Sequence, residues 1–290
     1  MIVTVIDMAE SIFDAPRLKP REFQRLAVLI EGRVGIRMPP NKQTMLEGRL
    51  RQRLRERGMD DFDQYCRFLF EEGGLDEELS DLIDAVTTNK TEFFREPRHF
   101  DFLITTALPA LTRRGVGVTR PLRVWSAGCS SGAEPYTLAM VLAEQRRAWP
   151  GLDFHILGTD VCSNVLNTAV KAIYPEEMVE PIPPELRRRY LLKSKERRER
   201  LIRIAPEMRA QVEFKRLNFM DSEYRLNPLQ DIVFCRNVII YFDSKVRAAV
   251  LNRICQGIIP GGYLFMGHSE TISNLDLPLR QVGSTIYIKV

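Results

Sequence analysis

The chain has 290 residues, 44% hydrophobic and 28% charged, with a formal net charge of +4 at pH 7. That length accommodates one large or two modest domains of ordinary globular composition. No apolar run is long enough to span a bilayer, and the mild positive charge permits a polyanionic partner without demanding one.

Met1–Phe13 carries Asp7 and Glu10 without a basic lead-in and does not read as a secretory signal. Cys66, Cys129, Cys162, Cys235 and Cys255 form no C-x-x-C pair, so they are expected to be reduced and buried in a cytoplasmic protein. The three histidines lie far apart and show no metal-ligand spacing, and no metal is expected.

The first third reads as helical. In Glu22–Val34, Phe23, Leu26, Ala27, Ile30 and Val34 recur at helical spacing, and Pro39-Pro40 stops the run. Lys42–Arg57 carries an apolar stripe of Leu46, Leu50 and Leu54. Arg49, Arg53 and Arg57 run along a neighbouring face, which Arg51 and Arg55 widen. Asp61–Glu72 is amphipathic and ends at Gly73-Gly74. Leu75, Leu79, Leu82, Ile83 and Val86 make a fourth helix, and no strand is expected here.

After Pro121 strands and helices alternate. Leu122–Ser126 is a strand, Ala127–Gly132 a small-residue turn, and Glu134 to Arg147 a helix. The strand Phe154–Gly158, ending at Asp160, leads to a helix over Ser163–Ala172. The buried-strand run Asp231–Cys235 precedes a helix over Ser244–Ile258. Pro260-Gly261-Gly262 reads as a turn before the strand Tyr263–Met266, and Thr285–Val290 closes the chain as a strand. This rhythm predicts a parallel α/β sheet with right-handed crossovers. Tyr174–Phe214 interrupts it with Pro175, Pro181, Pro183, Pro184 and the basic run Lys193–Arg203. Leu201–Ile204 and Val212–Lys215 read there as short strands of an inserted antiparallel subdomain.

Four strings carry chemistry. Val124–Gly132 is a strand running into a glycine-bearing turn before a helix, where backbone N–H groups meet a ligand closely. It is neither G-x-G-x-x-G nor a P-loop, which suits a cofactor without phosphates, and Glu134 can pair with an ammonium. A plain tight strand–helix turn explains the same string. Asp160, at the carboxyl end of the next strand, can accept both hydroxyls of a ribose, or simply cap the helix after it. Cys235-Arg236-Asn237 lies at another strand end, where Asn237 offers both a donor and an acceptor; a polar loop closing the strand is the alternative. Asn89–Pro97 sets Phe93 and Phe94 among Asn, Thr and Arg at a domain junction. It is either a linker whose aromatics pack on the core or a lid that engages a cofactor carboxylate through Arg95.

These pieces, in this order, resemble the chemotaxis receptor methyltransferases (CheR). The matching strings are Asn89–Glu96 (NKTEFFRE), Trp125–Met140 (WSAGCSSGAEPYTLAM), Gly158–Val161 (GTDV), Phe234–Asp243 (FCRNVIIYFD) and Gly261–Asn274 (GGYLFMGHSETISN). The resemblance covers nearly the whole chain. It implies a Rossmann-like class I methyltransferase domain, α/β, with a small β-subdomain insertion, preceded by a small all-α N-terminal domain. The boundaries it suggests are a receptor-docking helical domain over 1–88, a linker and lid over 89–120, and a catalytic domain over 121–290 with the insertion at about 175–215.

It further implies S-adenosylmethionine as methyl donor, S-adenosylhomocysteine as product, and methyl-ester formation on glutamates of chemoreceptors. By motif position, the cofactor contacts fall on Asn89, Thr91, Arg95, Glu134, Asp160, Asn218, Phe219, Arg236 and Asn237. Many members carry two acidic residues where this chain has Ala133-Glu134, so the role rests here on Glu134. Arg95, Tyr241 and His268 are the candidates on the substrate side; a core aromatic and a structural histidine are the alternatives for the last two. The arginine face of Arg49, Arg53 and Arg57 suits docking on an acidic receptor bundle, though such charge runs are usually solvated faces.

The chain is expected to act as a monomer in the cytoplasm, recruited to membrane-bound receptors, without inserting into the membrane or binding nucleic acid. Rival readings are a methyltransferase of another substrate, or a non-catalytic receptor-binding module. Against amino methylation, the place of an Asn/Asp-Pro-Pro-aromatic string reads Arg236-Asn237-Val238-Ile239.

Overall fold

The computed structural model describes residues 16–195, 200–272 and 275–290. Met1–Phe13 and part of the basic run Lys193–Arg203 therefore lie outside the described residues. The chain divides into two compact units at Thr87/Thr88.

The first unit is helical. Helix α1 (Pro20–Val34) starts with proline in its first turn, where no donor is lost, and ends at Gly35, whose φ of 72° terminates it. Helix α2 (Gln43–Arg57) buries Leu46, Leu50 and Leu54. Asp61 caps α3 (Phe62–Phe70) by accepting from the Gln64 N–H at 2.8 Å. Helix α4 (Leu75–Val86) buries Leu82, Ile83 and Val86.

The α2 arginines are engaged inside this unit. Glu78 on α4 is wholly buried and accepts from Arg53 at 2.7 and 2.8 Å, from Arg57 at 2.7 Å and from the Tyr65 hydroxyl at 2.9 Å. Arg53 also reaches Asp81 at 2.9 Å, and Arg57 pairs with Glu77. Arg49 donates to the Val86 and Thr87 carbonyls. Burial pushes the Glu78 carboxyl up, but the bonds from Arg53, Tyr65 and Arg57 outweigh it and hold the group below the usual glutamate range. On the same helix Arg55 is exposed.

The second unit is built on a seven-stranded sheet. Strands β1 (Leu122–Ala127), β2 (Phe154–Asp160), β7 (Gln230–Cys235) and β8 (Ile258–Met266) run parallel, joined by β6 (Val212–Arg216) at one edge. The order is β6-β2-β1-β7-β8-β10-β9, with β10 (Ile286–Lys289) and β9 (Leu279–Gly283) antiparallel at the other edge.

Successive residues of the central strands face opposite layers. Val124, Ile232 and Phe234 point into a core shared with α7 (Ala133–Ala148), where Phe234 stacks on Phe265 with centroids 4.3 Å apart. Trp125, Val233 and Cys235 point into a core shared with α11 (Ser244–Gln256). Both faces are covered, which is why these strands read as unbroken apolar runs. All five cysteines are free and buried.

Between α8 (Ser163–Lys171) and β6 lies a small antiparallel sheet. It consists of β3 (Ile173–Pro175), β5 (Leu201–Ile204) and β4 (Leu191–Lys193), in the order β3-β5-β4, with α9 (Pro184–Tyr190) before β4. The sequence reading placed Val212–Lys215 in this insertion. The structure pairs it in parallel with β2 as part of the main sheet, leaving α10 (Pro206–Arg209) as the return from the insertion.

Pro260-Gly261-Gly262 is likewise not a turn between elements. It bulges within β8, where the register against β7 slips between Gln230 and Ile232, and Gly261 takes a φ of 74°. The sheet is mixed rather than purely parallel, because the final hairpin returns along β8.

Candidate active site

The carboxyl ends of β1, β2, β7 and β8 lie on one side of the sheet, where open α/β folds bind ligands. At the end of β1, Gly128 and Cys129 both donate to the Thr159 carbonyl at 2.8 Å, folding the turn over β2. Gly128 has a φ of 80°, and a Cβ there would meet Val238 at 2.5 Å, so both backbone and packing require glycine. The Ser130 N–H, next in the turn, donates to Asp160 Oδ2 at 2.8 Å, and the Cys162 N–H donates to Oδ1 at 3.0 Å. Asp160 thus supports the two loops it joins. The Leu217 N–H donates to the Asp160 carbonyl at 2.9 Å, which brings the Leu217-Asn218-Phe219 string beside the strand tip.

Residues 89–96 run across these ends and are pinned at three points. The Ser130 hydroxyl donates to the Asn89 carbonyl at 2.7 Å, and the Phe94 N–H donates to Thr137 Oγ1 at 3.2 Å. Arg236 donates to the Arg95 carbonyl at 2.6 Å. Phe93 is buried edge-on to Tyr174 with centroids 5.2 Å apart, so the segment is packed along its length.

Arg236 closes the circuit. Its Nε donates to Glu134 Oε2 at 2.6 Å, while Ser126 Oγ donates to Glu134 Oε1 at 2.7 Å. One chain of contacts therefore links Asp160, Ser130 and Asn89 at one end of the segment, and Arg95, Arg236, Glu134 and Ser126 at the other. Asn89, Arg95, Glu134, Asp160, Arg236 and Asn237 come together, and Thr91 lies half-buried within the same segment. Phe219 instead packs into the core against Tyr224 and Phe242, and Asn218 Oδ1 accepts from the Met220 N–H. Tyr241 is half-buried in the turn after β7, and its hydroxyl has no hydrogen-bond partner among the described residues.

Three observations mark this as a place with open valences. The Arg95 guanidinium, half-buried, makes no hydrogen bond or ion pair among the described residues. Asn237 Oδ1 and Glu96 Oε2 are buried without hydrogen-bond partners. Four non-glycine residues in these segments, Phe94, Glu96, Ser130 and Asn237, take φ between 50° and 60°. That conformation costs about 1–2 kcal/mol each and persists where the surroundings dictate it, as at ligand sites.

Sequence reading missed two groups here. Glu270, buried after β8, accepts from the N–H groups of Gly267, Asn237, Val238 and Ile239 at 2.8, 2.9, 2.9 and 3.0 Å. Burial still leaves its carboxyl above the ordinary value, despite those four bonds. It fixes the loop that carries Asn237 and Tyr241.

The second group is His99, buried against Glu96, His268 and Arg236. Burial first, then the Arg236 charge, pushes His99 down to about 4, so the ring is neutral at pH 7. The half-exposed His268 sits edge-on to it with centroids 5.2 Å apart. The strings around Pro97 and Gly267 were visible in the sequence, but nothing in them showed that these side chains meet.

The residues fit an amino-acid nucleoside with a sulfonium. The open guanidinium suits its carboxylate, the orphaned amide oxygen and Glu134 suit donors, and the Asp160 carboxylate at the tip of β2 suits hydroxyl donors.

Comparison with known proteins agrees. Residues 89–288 match the SAM binding domain of CheR methyltransferase, and residues 21–87 match its all-alpha domain. The chemotaxis protein methyltransferase of Borreliella burgdorferi is 39% identical over 253 residues, spanning 87% of this chain and 88% of that protein. Those of Salmonella typhimurium and Escherichia coli are 37% and 36% identical over 270 residues, each spanning 93% of this chain and 90% and 91% of theirs.

Proposed function

The chain belongs to the CheR family of chemotaxis methyltransferases, and from that premise we propose that it esterifies glutamate side chains of chemoreceptors at the site around Asp160, Glu134 and Arg95. The bound cofactor, S-adenosylmethionine, supplies an electrophilic methyl group on sulfur. The observation that carries the reading is the hydrogen-bond path from Asp160 through the pinned segment 89–96 to Glu134, with unmet polar groups beside it.

In this reading Asp160 holds the ribose, with Asn218 and Phe219 on the adenine side and Asn89 and Thr91 lining the segment that covers it. Glu134 holds the cofactor ammonium. Arg236 orients Glu134, so that carboxylate needs no rearrangement when the ligand arrives. Arg95 takes the cofactor carboxylate, and Asn237 offers its free oxygen.

A substrate glutamate, with an ordinary pKa near 4.3, is already ionised at neutral pH. No general base is needed, and the chain's task is to align the carboxylate with the methyl group and exclude water. Too many donors on that carboxylate would quench it. Tyr241, with a hydroxyl that has no hydrogen-bond partner among the described residues, is the donor we place beside it, and the half-exposed His268 borders the entrance.

The receptor is a cytoplasmic helical bundle, reached without membrane insertion, and the α2 face docks on it. The site is complete within one chain, so a monomer suffices. Incubation with methyl-labelled cofactor and receptor cytoplasmic fragments tests the reaction: base-labile label on the receptor is expected. Label on nucleic acid, or on no macromolecule, would overturn it. For the site, Asp160→Ala should weaken cofactor binding in calorimetry by roughly 10–100-fold, the value of one or two hydrogen bonds to a charged group. Unchanged affinity would remove Asp160 from the cofactor site.

A further inference from the structure

We propose that Glu96, His99 and His268 form a binding site for one divalent transition-metal ion of the zinc type, clamping the start of α5 (Pro97–Phe102) to the loop after β8. One ligand atom from each residue lies within 4.8 Å of the others. Glu96 Oε2 stands 3.3 Å from His99 Nδ1 and 3.9 Å from His268 Nε2. Around a tetrahedral ion with bonds of about 2.0–2.1 Å, donor atoms stand roughly 3.3 Å apart. The buried pair is therefore already spaced for coordination, and His268, half-exposed on a loop, needs a shift of about 1 Å to complete it.

The lone pairs are aimed correctly. The Thr285 hydroxyl donates to the Ser284 carbonyl at 2.8 Å, so at 3.1 Å from His99 Nε2 its oxygen is the acceptor. The proton thus resides on Nε2 and the Nδ1 lone pair faces Glu96. A ligating histidine typically has this outer-shell arrangement, with its other N–H held by an oxygen. Glu96 is oriented by the His268 N–H, which donates to Oε1 at 3.2 Å and leaves Oε2 turned inward. Its side chain is nine-tenths buried and Oε2 has no hydrogen-bond partner. The two acceptors stand 3.3 Å apart with no proton between them, and the Arg236 guanidinium beside them reaches each only at 3.4–3.6 Å.

Arg236 meets the Glu96 charge only in part: its short bond goes to Glu134 at 2.6 Å, while its Nη1 makes longer contacts of 3.4 Å to His99 Nδ1 and 3.6 Å to Glu96 Oε2, which an ion at these atoms replaces. One guanidinium between two carboxylates leaves a net negative charge, and that charge falls on Glu96. Arg236 also raises the electrostatic cost of a second cation, so the site favours an ion that forms strong directional bonds to imidazole over calcium or magnesium. The fourth position opens to solvent on the His268 side.

Full-length, untagged protein stripped with a chelator and titrated with Zn²⁺ or Co²⁺ alone provides the test. One ion per chain is expected by calorimetry. Co²⁺ should give the visible bands of a four-coordinate N/O site without thiolate charge transfer, and saturation should raise the melting temperature. His268→Ala, at a half-exposed ring, should weaken binding by more than the ~10–100-fold that an outer-shell partner is worth. Glu96→Gln should abolish it, and His155→Ala, a control at the exposed ring beside Glu213, should leave it unchanged. No ion bound by the wild-type chain, a thiolate signature, or equal affinity in His268→Ala would each overturn the site. Should Glu96→Gln lose its circular-dichroism signature, His268→Ala decides.

Discussion

Two buried carboxylates in this molecule are both held by arginine, and they differ in what surrounds them. Glu78 in the helical unit receives Arg53, Arg57 and Tyr65, and the arginine beside it, Arg53, is spent on Glu56, Glu78 and Asp81. Glu134 in the α/β unit receives Ser126 and Arg236, and its neighbourhood keeps unmet groups: Glu96 Oε2, Asn237 Oδ1 and the Arg95 guanidinium. Buried polar groups are normally satisfied, because leaving one unpaired costs about 1–3 kcal/mol. A closed network stabilises the fold and calls for no ligand. An open one beside strained backbone calls for a ligand, so the two arginine-rich regions, alike in sequence, separate in function.

The largest effect should break the closed network. Glu78→Ala leaves Arg53 only the partly exposed Glu56 and Asp81, strips the Tyr65 hydroxyl of its acceptor, and should destabilise the helical unit by about 3–5 kcal/mol, read as a lower denaturant midpoint. The same carboxylate makes a pH prediction. Its folded pKa lies below the unfolded value of about 4.3, so its contribution is complete above that value and is lost as pH falls through the lower folded one. Glu78→Gln should remove that step from the acid-unfolding curve. An unchanged acid limb would mean that the network contributes nothing.

The next effect sharpens the open site. Glu270→Gln replaces one acceptor oxygen with an NH₂ facing backbone donors. It should lower kcat/KM for methylation through the Asn237–Tyr241 loop by roughly 10–100-fold, the value of one hydrogen bond to a charged group. A loss in melting temperature with kinetics untouched would make Glu270 a structural brace.

What the sequence allowed one to read follows from how locally each feature is determined. Strands β1, β2 and β7 were legible because both faces are buried, which writes an apolar run. Strand β9 was not, because it is an edge strand with exposed or half-buried side chains and carries no such pattern. Val212–Lys215 looked like part of the insertion for the same reason: at a sheet edge Val212 and Phe214 are half-buried. The Pro-Gly-Gly string writes a turn signal that the pairing of β8 with β7 overrides.

In the site, glycine turn and strand-tip aspartate were legible because their chemistry sits in one string each. The Arg236–Glu134 pair spans 102 positions and the Glu96–His268 contact 172, so both arise from topology alone. The three histidines, spaced without metal pattern in the sequence, include two whose rings meet in space.

The smallest expected effect concerns the arginine face. Reversing Arg53 or Arg57 would disrupt the Glu78 network, so a loss of receptor methylation there would not report docking. Arg55, exposed on the same helix, separates the two effects. A surface charge change of this kind shifts stability by about 0–1 kcal/mol, so Arg55→Glu should melt like the wild-type chain. If the face docks an acidic bundle, the variant should methylate receptor fragments a few-fold more slowly, through a reduced association rate. The deficit should shrink as salt rises, because screening acts on the wild-type attraction that the variant has lost. Cofactor affinity should stay unchanged. Equal receptor rates at low salt would assign the α2 arginines to the fold of the helical unit and leave receptor docking to another surface.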